Sequence, residues 1–173
     1  MIDWYQQSAN PNFPQRITHN DTKFNNVLLD QDSQEAICVI DLDTVMPGVV
    51  GYDFGDAIRT TVNTAAEDEP DVEQINVDIS YYRAFTRGFL GEVGSVLTQT
   101  ELKYLPYSAH YMTFIMGLRF LTDYLEGNVY YKVQYPDHNR YRARAQFTLV
   151  SRLEELSTEI NTMIYQIAKQ VGG

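Results

Sequence analysis

One stretch near the start of the sequence combines side chains that could perform chemistry. Residues 18–26 read Thr-His-Asn-Asp-Thr-Lys-Phe-Asn-Asn and lie immediately before a short apolar run, Val27–Leu29. The carboxylate of Asp21 could act as a base towards a substrate hydroxyl, and the amide oxygen of Asn26, five positions later, could bind a metal ion. Asp and Asn are also common at strand ends, so Asp21 alone is weak evidence for a site.

A pair of carboxylates follows the next apolar run. Ala36–Ile40 leads directly into Asp41 and Asp43, and the polar stretch 30–35 separates the two apolar runs. This pattern predicts a β-hairpin, which brings the end of its second strand back beside the start of its first. We therefore expect Asp41 to be a neighbour of Asp21. Carboxylate and amide oxygens suit Mg²⁺, which commonly shares its coordination shell with substrate phosphates.

The spacing of His, Asp and Asn in the first stretch is typical of a kinase catalytic loop. Three blocks of the sequence resemble the aminoglycoside phosphotransferase and choline kinase superfamily, which has a protein-kinase-like fold, and are most similar to its N-acetylhexosamine 1-kinase branch. The blocks are Thr-His-Asn-Asp-Thr-Lys-x-x-Asn at 18–26, Val-Ile-Asp-Leu-Asp-Thr-Val-Met-Pro-Gly at 39–48 and Tyr-Asp-Phe-Gly-Asp-Ala-Ile-Arg at 52–59. The resemblance implies an ATP-dependent phosphotransferase that acts on a hydroxyl of a sugar, amino sugar or related small molecule.

The resemblance also implies a role for each matched residue. Asp21 would be the catalytic base, or the carboxylate that orients the acceptor hydroxyl, and Lys23 would neutralise the transferring phosphoryl group. Asn26 and Asp41 would bind Mg²⁺. Asp43 would reach a second metal ion or a sugar hydroxyl. Mg²⁺ and the co-substrate ATP are thus the implied cofactors.

Four further residues complete the candidate site. His19 would support the catalytic loop through packing and hydrogen bonds, and Asp56 would be the helix-start carboxylate that hydrogen-bonds this loop. Asp53 and Arg59 could contact substrate, although surface pairing would explain them as well. By contrast, three arginines at the start of a later helix are expected to be solvated: Arg140, Arg142 and Arg144.

The elements that position the site are expected to be one hairpin and a set of helices. The hairpin covers about 26–41 and carries the site at its open end. Thr98 and Glu101 form a capping-box sequence at one helix start. The fold class is α+β, mostly α, as in the C-terminal lobe of a protein-kinase-like fold. Apolar residues at helical spacing predict helices near 56–66, 71–91, 98–126 and 138–170.

The order of segments suggests a catalytic lobe without its nucleotide-binding partner. Residues 1–17 are expected to be an irregular entry segment, and 18–173 the kinase-like lobe. The superfamily holds ATP in a preceding lobe, but only 17 residues precede Thr18 and no glycine precedes Gly48. We therefore expect the N-terminal lobe of the same protein to lie outside this chain, which alone would bind substrate better than it turns it over.

The composition argues against several other classes of protein. The chain has 173 residues, 44% of them hydrophobic, which suits one globular domain. With 13 Lys and Arg against 23 Asp and Glu, neither a nucleic acid nor an anionic membrane is an expected partner. The first residues lack a signal-peptide pattern, so we expect a cytoplasmic protein. The single cysteine, Cys38, lies in an apolar run and is expected in the core.

Two other functions stay open at this stage. The segment 37–45 also fits the haloacid dehalogenase phosphatase motif, with Asp41 as nucleophile and Asp43 as general acid. That fold needs strands alternating with helices in a parallel sheet, whereas 71–173 predicts long helices. A non-catalytic, pseudokinase-like interaction lobe is favoured by the missing nucleotide lobe and opposed by the complete set of His, Asp, Asn and Asp.

Overall fold

The computed structural model describes residues 13–171, so most of the predicted entry segment lies outside the described residues. Two pairs of short antiparallel strands precede the helices. The inner pair is the predicted hairpin, with Val27 opposite Val39 and Leu28 opposite Cys38. The strands are β1 Arg16–Thr18, β2 Val27–Leu29, β3 Ala36–Val39 and β4 Met46–Gly48.

The outer strand pair, β1 with β4, was not predicted. Ile17 lies opposite Pro47, and about thirty residues separate the two strands along the chain. Three-residue strands carry too little periodicity to be recognised, and the proline at 47 argued for a loop. This pair joins the segment before the hairpin to the segment after it. Both segments are therefore held in fixed positions.

Five α-helices follow the strands in the described part of the chain. They are α1 Val50–Thr61, α2 Ile79–Val93, α3 Gln99–Leu125, α4 His138–Glu155 and α5 Ser157–Val171. The predicted capping box is present on α3, where Thr98 and Glu101 bond each other's backbone N–H groups. The structure is mostly helical with a small β part, as expected for the α+β class.

Helix boundaries differ from the prediction in three places. Helix α1 starts at Val50, six residues early, because the glycines at 51 and 55 lie inside it rather than in a loop. Helix α2 starts only at Ile79, where the side chain of Asp78 accepts hydrogen bonds from the N–H groups of Ser80 and Tyr81. The predicted helix 138–170 is two helices with a break at Leu156.

Helix α1 lies at the centre of the molecule. Phe54 and Ile58 on it are fully buried, and the ring of Phe54 packs against the rings of Tyr82, Phe85 and Phe89 on α2. At Gly55 a side-chain carbon would overlap the backbone carbonyl of Ser108 on α3, so only glycine permits this approach of α1 to α3. The helix that carries the third sequence block is therefore held rigidly by the core.

The hairpin contrasts with the helices because its apolar side chains are exposed. Cys38, expected in the core, is exposed, because the strand pair has no layer packed over it in the described part of the chain. Ile37 and Val39 on the same strand are also at least half exposed. None of the helices within residues 13–171 is long and apolar enough to span a membrane.

Candidate active site

The predicted catalytic loop is anchored to the first turn of α1. Both carboxylate oxygens of Asp53 accept backbone N–H groups from the loop, one from His19 at 2.8 Å and one from Asn20 at 2.7 Å. The hydroxyl of Thr22 donates to the backbone carbonyl of Asp53 at 2.6 Å. Burial raises the pKa of Asp53, and the two backbone hydrogen bonds offset this only in part.

This geometry corrects the contact expected of Asp56. The carboxylate bonded to the loop belongs to Asp53, whereas Asp56, three residues further along the helix, pairs with Arg59 at 2.7 Å. One turn of helix separates the two carboxylates, so they point to different neighbours. Asp56 and Arg59 are both buried, so the surface pairing considered for Arg59 is a buried ion pair.

Hydrogen bonds also join the catalytic loop to the segment that follows β3. A ring nitrogen of His19 lies 3.1 Å from the carbonyl oxygen of Ile40, and the hydroxyl of Thr44 donates to the carbonyl of His19 at 2.6 Å. The side chain of Asn20 donates to the carbonyl of Thr44. His19 thus lies where it can hold the two acidic segments together, and its ring makes no approach to the pocket described below.

Asp21, the predicted base, is held through one of its two oxygens. Its Oδ2 accepts hydrogen bonds from Lys23 Nζ at 2.7 Å and from Asn26 Nδ2 at 2.9 Å. Partial burial alone would raise the pKa of Asp21, but these two bonds and the charge of Lys23 outweigh it and lower the pKa below its usual value. Asp21 is therefore ionised at neutral pH, and within the described residues its Oδ1 has no hydrogen-bond partner.

The hairpin brings Asp41 beside Asp21, as the sequence pattern predicted. Lys23 Nζ lies between the two carboxylates, 2.7 Å from Asp21 and 4.0 Å from Asp41. Asp41 has a left-handed backbone conformation, with φ of 64°, and begins a single 3₁₀ turn that contains Asp43. A hydrogen bond with Asp43 and the charge of that group raise the pKa of Asp41.

The oxygen atoms of Asn26, Asp41 and Asp43 fit Mg²⁺ only if other oxygens complete its coordination shell. Among residues 13–171 no three His, Cys, Asp or Glu side chains converge as metal ligands. The exposed carboxylates of Asp41 and Asp43 repel each other, and a divalent cation would relieve that repulsion. The amide nitrogen of Asn26 faces Asp21, which leaves its oxygen as the atom available to a cation. Two carboxylates and one amide suit an ion that keeps waters or binds phosphate oxygens.

A cavity of about 680 Å³ opens beside the catalytic loop. The loop forms one wall, and the helices α1, α3 and α4 form the others together with the segments that follow α1 and α3. This volume is in the usual range for a small-molecule site. The residues that line it include Asn20, Asp21, Lys23, Asp56, Arg59, Glu67, Met116, Phe120, Tyr131, Arg142 and Gln146.

The charged side chains of the cavity are mostly paired with one another. Glu67 lies between two guanidinium groups, 3.8 Å from Arg59 and 3.1 Å from Nε of Arg142, although that N–H is not aligned for a hydrogen bond. The guanidinium of Arg142 also stacks over the ring of Phe120. Arg142 was expected to be solvated, but its position on the inner face of α4 places it in the cavity wall.

Several lining residues were not found from the sequence. No motif or spacing in the sequence indicated Glu67 or Gln146 as a site residue. Arg142 and Gln146 are four positions apart on one helix, so helical spacing could have placed them on a shared face. At the rim, the guanidinium of Arg119 lies over the rings of Tyr130 and Tyr131.

The phosphatase interpretation lacks the sheet that it requires. Within residues 13–171 the only strand pairs are antiparallel and two-stranded, and helices α3 to α5 occupy the region where alternating strands were needed.

A comparison with protein families agrees with the resemblance of the three sequence blocks. The model of the phosphotransferase enzyme family (APH) matches residues 1–89, just over half of the chain. The matched region contains the catalytic loop, the two acidic residues after the hairpin and the whole of α1. The chain therefore belongs to the phosphotransferase enzyme family.

Proposed function

We propose that this chain is the C-terminal catalytic lobe of a protein-kinase-like enzyme that transfers the γ-phosphoryl group of ATP to a hydroxyl of a sugar or amino sugar. One observation carries the proposal. Asp21 is ionised, held at Oδ2 by Lys23 and Asn26, and lines a polar cavity large enough for a monosaccharide. A carboxylate in this position can accept a hydrogen bond from the hydroxyl group of an acceptor bound in the cavity.

Asp21 would act on the acceptor hydroxyl. The hydroxyl oxygen forms a bond to the γ-phosphorus, the bond from that phosphorus to the bridging oxygen breaks, and ADP leaves. The hydroxyl proton passes to Oδ1 of Asp21. Because the pKa of Asp21 is low, its main contribution would be to orient the hydroxyl, with proton transfer late in the step.

Mg²⁺ would be held by Asn26 and Asp41, with Asp43 beside them. When bound, the ion neutralises charge on the phosphate groups. The same three side chains would position the phosphates relative to Asp21, since Lys23 connects Asp21 to Asp41. Lys23 would move from Asp21 towards the transferring phosphoryl group as negative charge develops there.

The exposed apolar side chains of the strands would be covered by the nucleotide-binding lobe of the enzyme. They lie on both faces of the hairpin, since Leu28 pairs with Cys38 and Val27 pairs with Val39. Exposed large apolar side chains concentrate here, adjacent to the carboxylates that would bind Mg²⁺–ATP. They are Ile17, Phe24, Leu28, Ile37, Val39, Leu42 and Met46.

An uncharged acceptor is favoured by the charges of the cavity. An aminoglycoside would need carboxylates without a basic partner, and choline would need aromatic faces free of other cations, whereas Arg119 already lies over the ring of Tyr131. The two acids furthest from the catalytic loop, Asp56 and Glu67, are each paired with arginine. Hexoses and N-acylated hexosamines present hydroxyl and amide groups instead, which suits a polar wall of paired charges.

Turnover of an acceptor panel tests the proposed function. The chain joined to its nucleotide-binding lobe would be assayed for ADP release with galactose, N-acetylgalactosamine, galactosamine, choline and kanamycin. We expect phosphorylation of an uncharged sugar. Turnover of choline alone would refute the sugar assignment, and the absence of turnover with every acceptor and Mg²⁺–ATP would favour the pseudokinase-like interaction lobe.

Binding of a divalent cation should stabilise the chain through Asp41 and Asn26. Without ATP the affinity for the cation should be weak. At a cation concentration tenfold above Kd, binding raises the free energy of unfolding by about 1.4 kcal/mol. For a chain of this size that corresponds to a rise in Tm of about 3–6 °C. The measurement is thermal unfolding with and without millimolar Mg²⁺ or Mn²⁺.

Three variants make this measurement specific. The rise in Tm should be lost in Asp41→Ala and reduced in Asn26→Ala. It should persist in Asp32→Ala, which removes an exposed carboxylate at the far end of the same hairpin. If Asn26→Ala shows the same rise in Tm as the wild type, this would argue against the metal site proposed here.

A further inference from the structure

Gln146 is a buried amide without a partner. It lies on α4 and its side chain is only 2% exposed, yet its amide makes no hydrogen bond with any of residues 13–171. Its Oε1 has no access to solvent. An unpaired buried polar group costs about 1–3 kcal/mol. Because Gln146 also lines the cavity that contains Asp21, this cost would be recovered when a ligand bonds the amide.

The position of Gln146 is fixed by close packing of α3 against α4. A side-chain carbon at Gly117 would lie 2.9 Å from the ring of Phe147 and 3.1 Å from Cβ of Gln146. The absence of a side chain at 117 therefore lets α4 approach α3 closely. The amide of Gln146 is presented to the cavity from a rigid helix pair.

A second unpaired oxygen lies on the same cavity. Asp56 is 4% exposed, and its Oδ1 accepts a hydrogen bond from Arg59 while its Oδ2 is buried without a partner. A carboxylate oxygen can only accept, so a ligand must donate to it. Its charge is already balanced by Arg59, so the missing partner is a neutral donor.

Unpaired buried atoms alone would not indicate a ligand. The hydroxyls of Tyr82 and Thr86 are also buried without partners, but neither residue lines this cavity. Gln146 and Asp56 differ because both line the cavity that Asp21 lines. The two core hydroxyls therefore provide a natural control for the cost of an unpaired group.

We infer that Gln146 and Oδ2 of Asp56 form the floor of the acceptor subsite and select acceptors that carry neighbouring hydroxyl or N–H donors. The inference rests on the proposed function and adds its specificity-determining residues. Asp56 accepts a donor from the sugar, and Gln146 both donates to and accepts from an adjacent group. Uncharged polyols and N-acylated amino sugars satisfy both side chains, whereas a quaternary ammonium has no donor for Asp56.

Binding of sugars to Gln146→Leu tests the inference. Leucine has a similar size and forms no hydrogen bond, and no protein partner is lost by the change. Titration calorimetry of this chain with galactose and N-acetylgalactosamine should show the affinity of the better ligand falling about tenfold. Thr86→Val, which deletes an equally buried and unpaired hydroxyl outside the cavity, should leave the affinity unchanged. Gln146→Met is a second variant if Gln146→Leu fails to fold.

Deoxy sugars identify the group that Gln146 bonds. For the wild-type chain, one monodeoxy analogue of the better ligand should lose about tenfold in affinity, and the same analogue should lose nothing further in Gln146→Leu. Equal affinities of wild type and both Gln146 variants would overturn the inference and leave the proposed function intact. Binding that depends on Gln146 without any phosphoryl transfer would support the subsite and count against the proposed function. If no sugar binds the wild-type chain, both are contradicted.

Discussion

Replacing Asp21 by Asn is expected to lower kcat for phosphoryl transfer by about 100- to 10,000-fold, because the group that orients the acceptor hydroxyl and receives its proton is lost. The amide can still accept the hydrogen bond from Asn26, so the loop should keep its conformation. Acceptor affinity should change little, since the floor of the cavity is untouched. Steady-state kinetics of the chain joined to its nucleotide-binding lobe would separate kcat from KM.

The matched control for this variant is Asp32→Asn. It makes the same change of one carboxylate to an amide on the exposed turn of the hairpin, away from the cavity. Its kcat should equal that of the wild type. If Asp21→Asn retains more than about a tenth of the activity, Asp21 is not the base, and the assignment of the catalytic loop fails with it.

The parts of the fold predicted from the sequence depend on local patterns. The hairpin, the α3 capping box and the existence of the helices follow from the order of residues within about twenty positions. The strand pair of Ile17 and Pro47 and the break at Leu156 do not. The strand pair depends on contacts between segments about thirty residues apart, which no periodicity within a short window reveals, and the apolar spacing continues through Leu156 without marking a helix end.

The candidate site divides in the same way. Asp21, Lys23 and Asn26 lie within six residues, so the sequence placed them in one loop, but it did not indicate that Lys23 and Asn26 both donate to Oδ2 of Asp21. The choice between Asp53 and Asp56 as the anchor of the loop depends on the rotation of α1 in the core, which the fully buried Phe54 fixes. A sequence motif names both carboxylates but does not say which one faces the loop.

The cavity wall was the least predictable part. Its charged pairs join residues from separate elements, as where Glu67 meets Arg59 and Arg142. The composition, with 23 acidic against 13 basic residues, did not indicate these pairs. In the structure each cavity-facing acid is paired with a basic residue, a lysine for Asp21 and arginines for the other two, one of which α4 supplies.

Replacing Arg59 by Met is expected to lower the free energy of unfolding by about 3–5 kcal/mol, because it leaves the carboxylate of Asp56 buried without its counter-charge. Both side chains of this pair are almost inaccessible to solvent, and the two atoms lie 2.7 Å apart. Methionine has a similar length, so lost packing contributes little. Urea unfolding followed by circular dichroism would measure the difference.

The chain contains a matched pair for comparison. Arg140 and Asp137 have the same spacing along the sequence and lie 2.9 Å apart, but both side chains are about half exposed. Arg140→Met should therefore lower the free energy of unfolding far less than Arg59→Met, because solvent screens the exposed pair. The double variant Asp56→Leu with Arg59→Met should be more stable than Arg59→Met alone, because the unpaired charge is gone. If instead Arg59→Met costs no more than Arg140→Met, water must reach Asp56 through the cavity. Its Oδ2 would then have a partner in the free protein, and the floor of the acceptor subsite would lose its reason to bind a sugar donor.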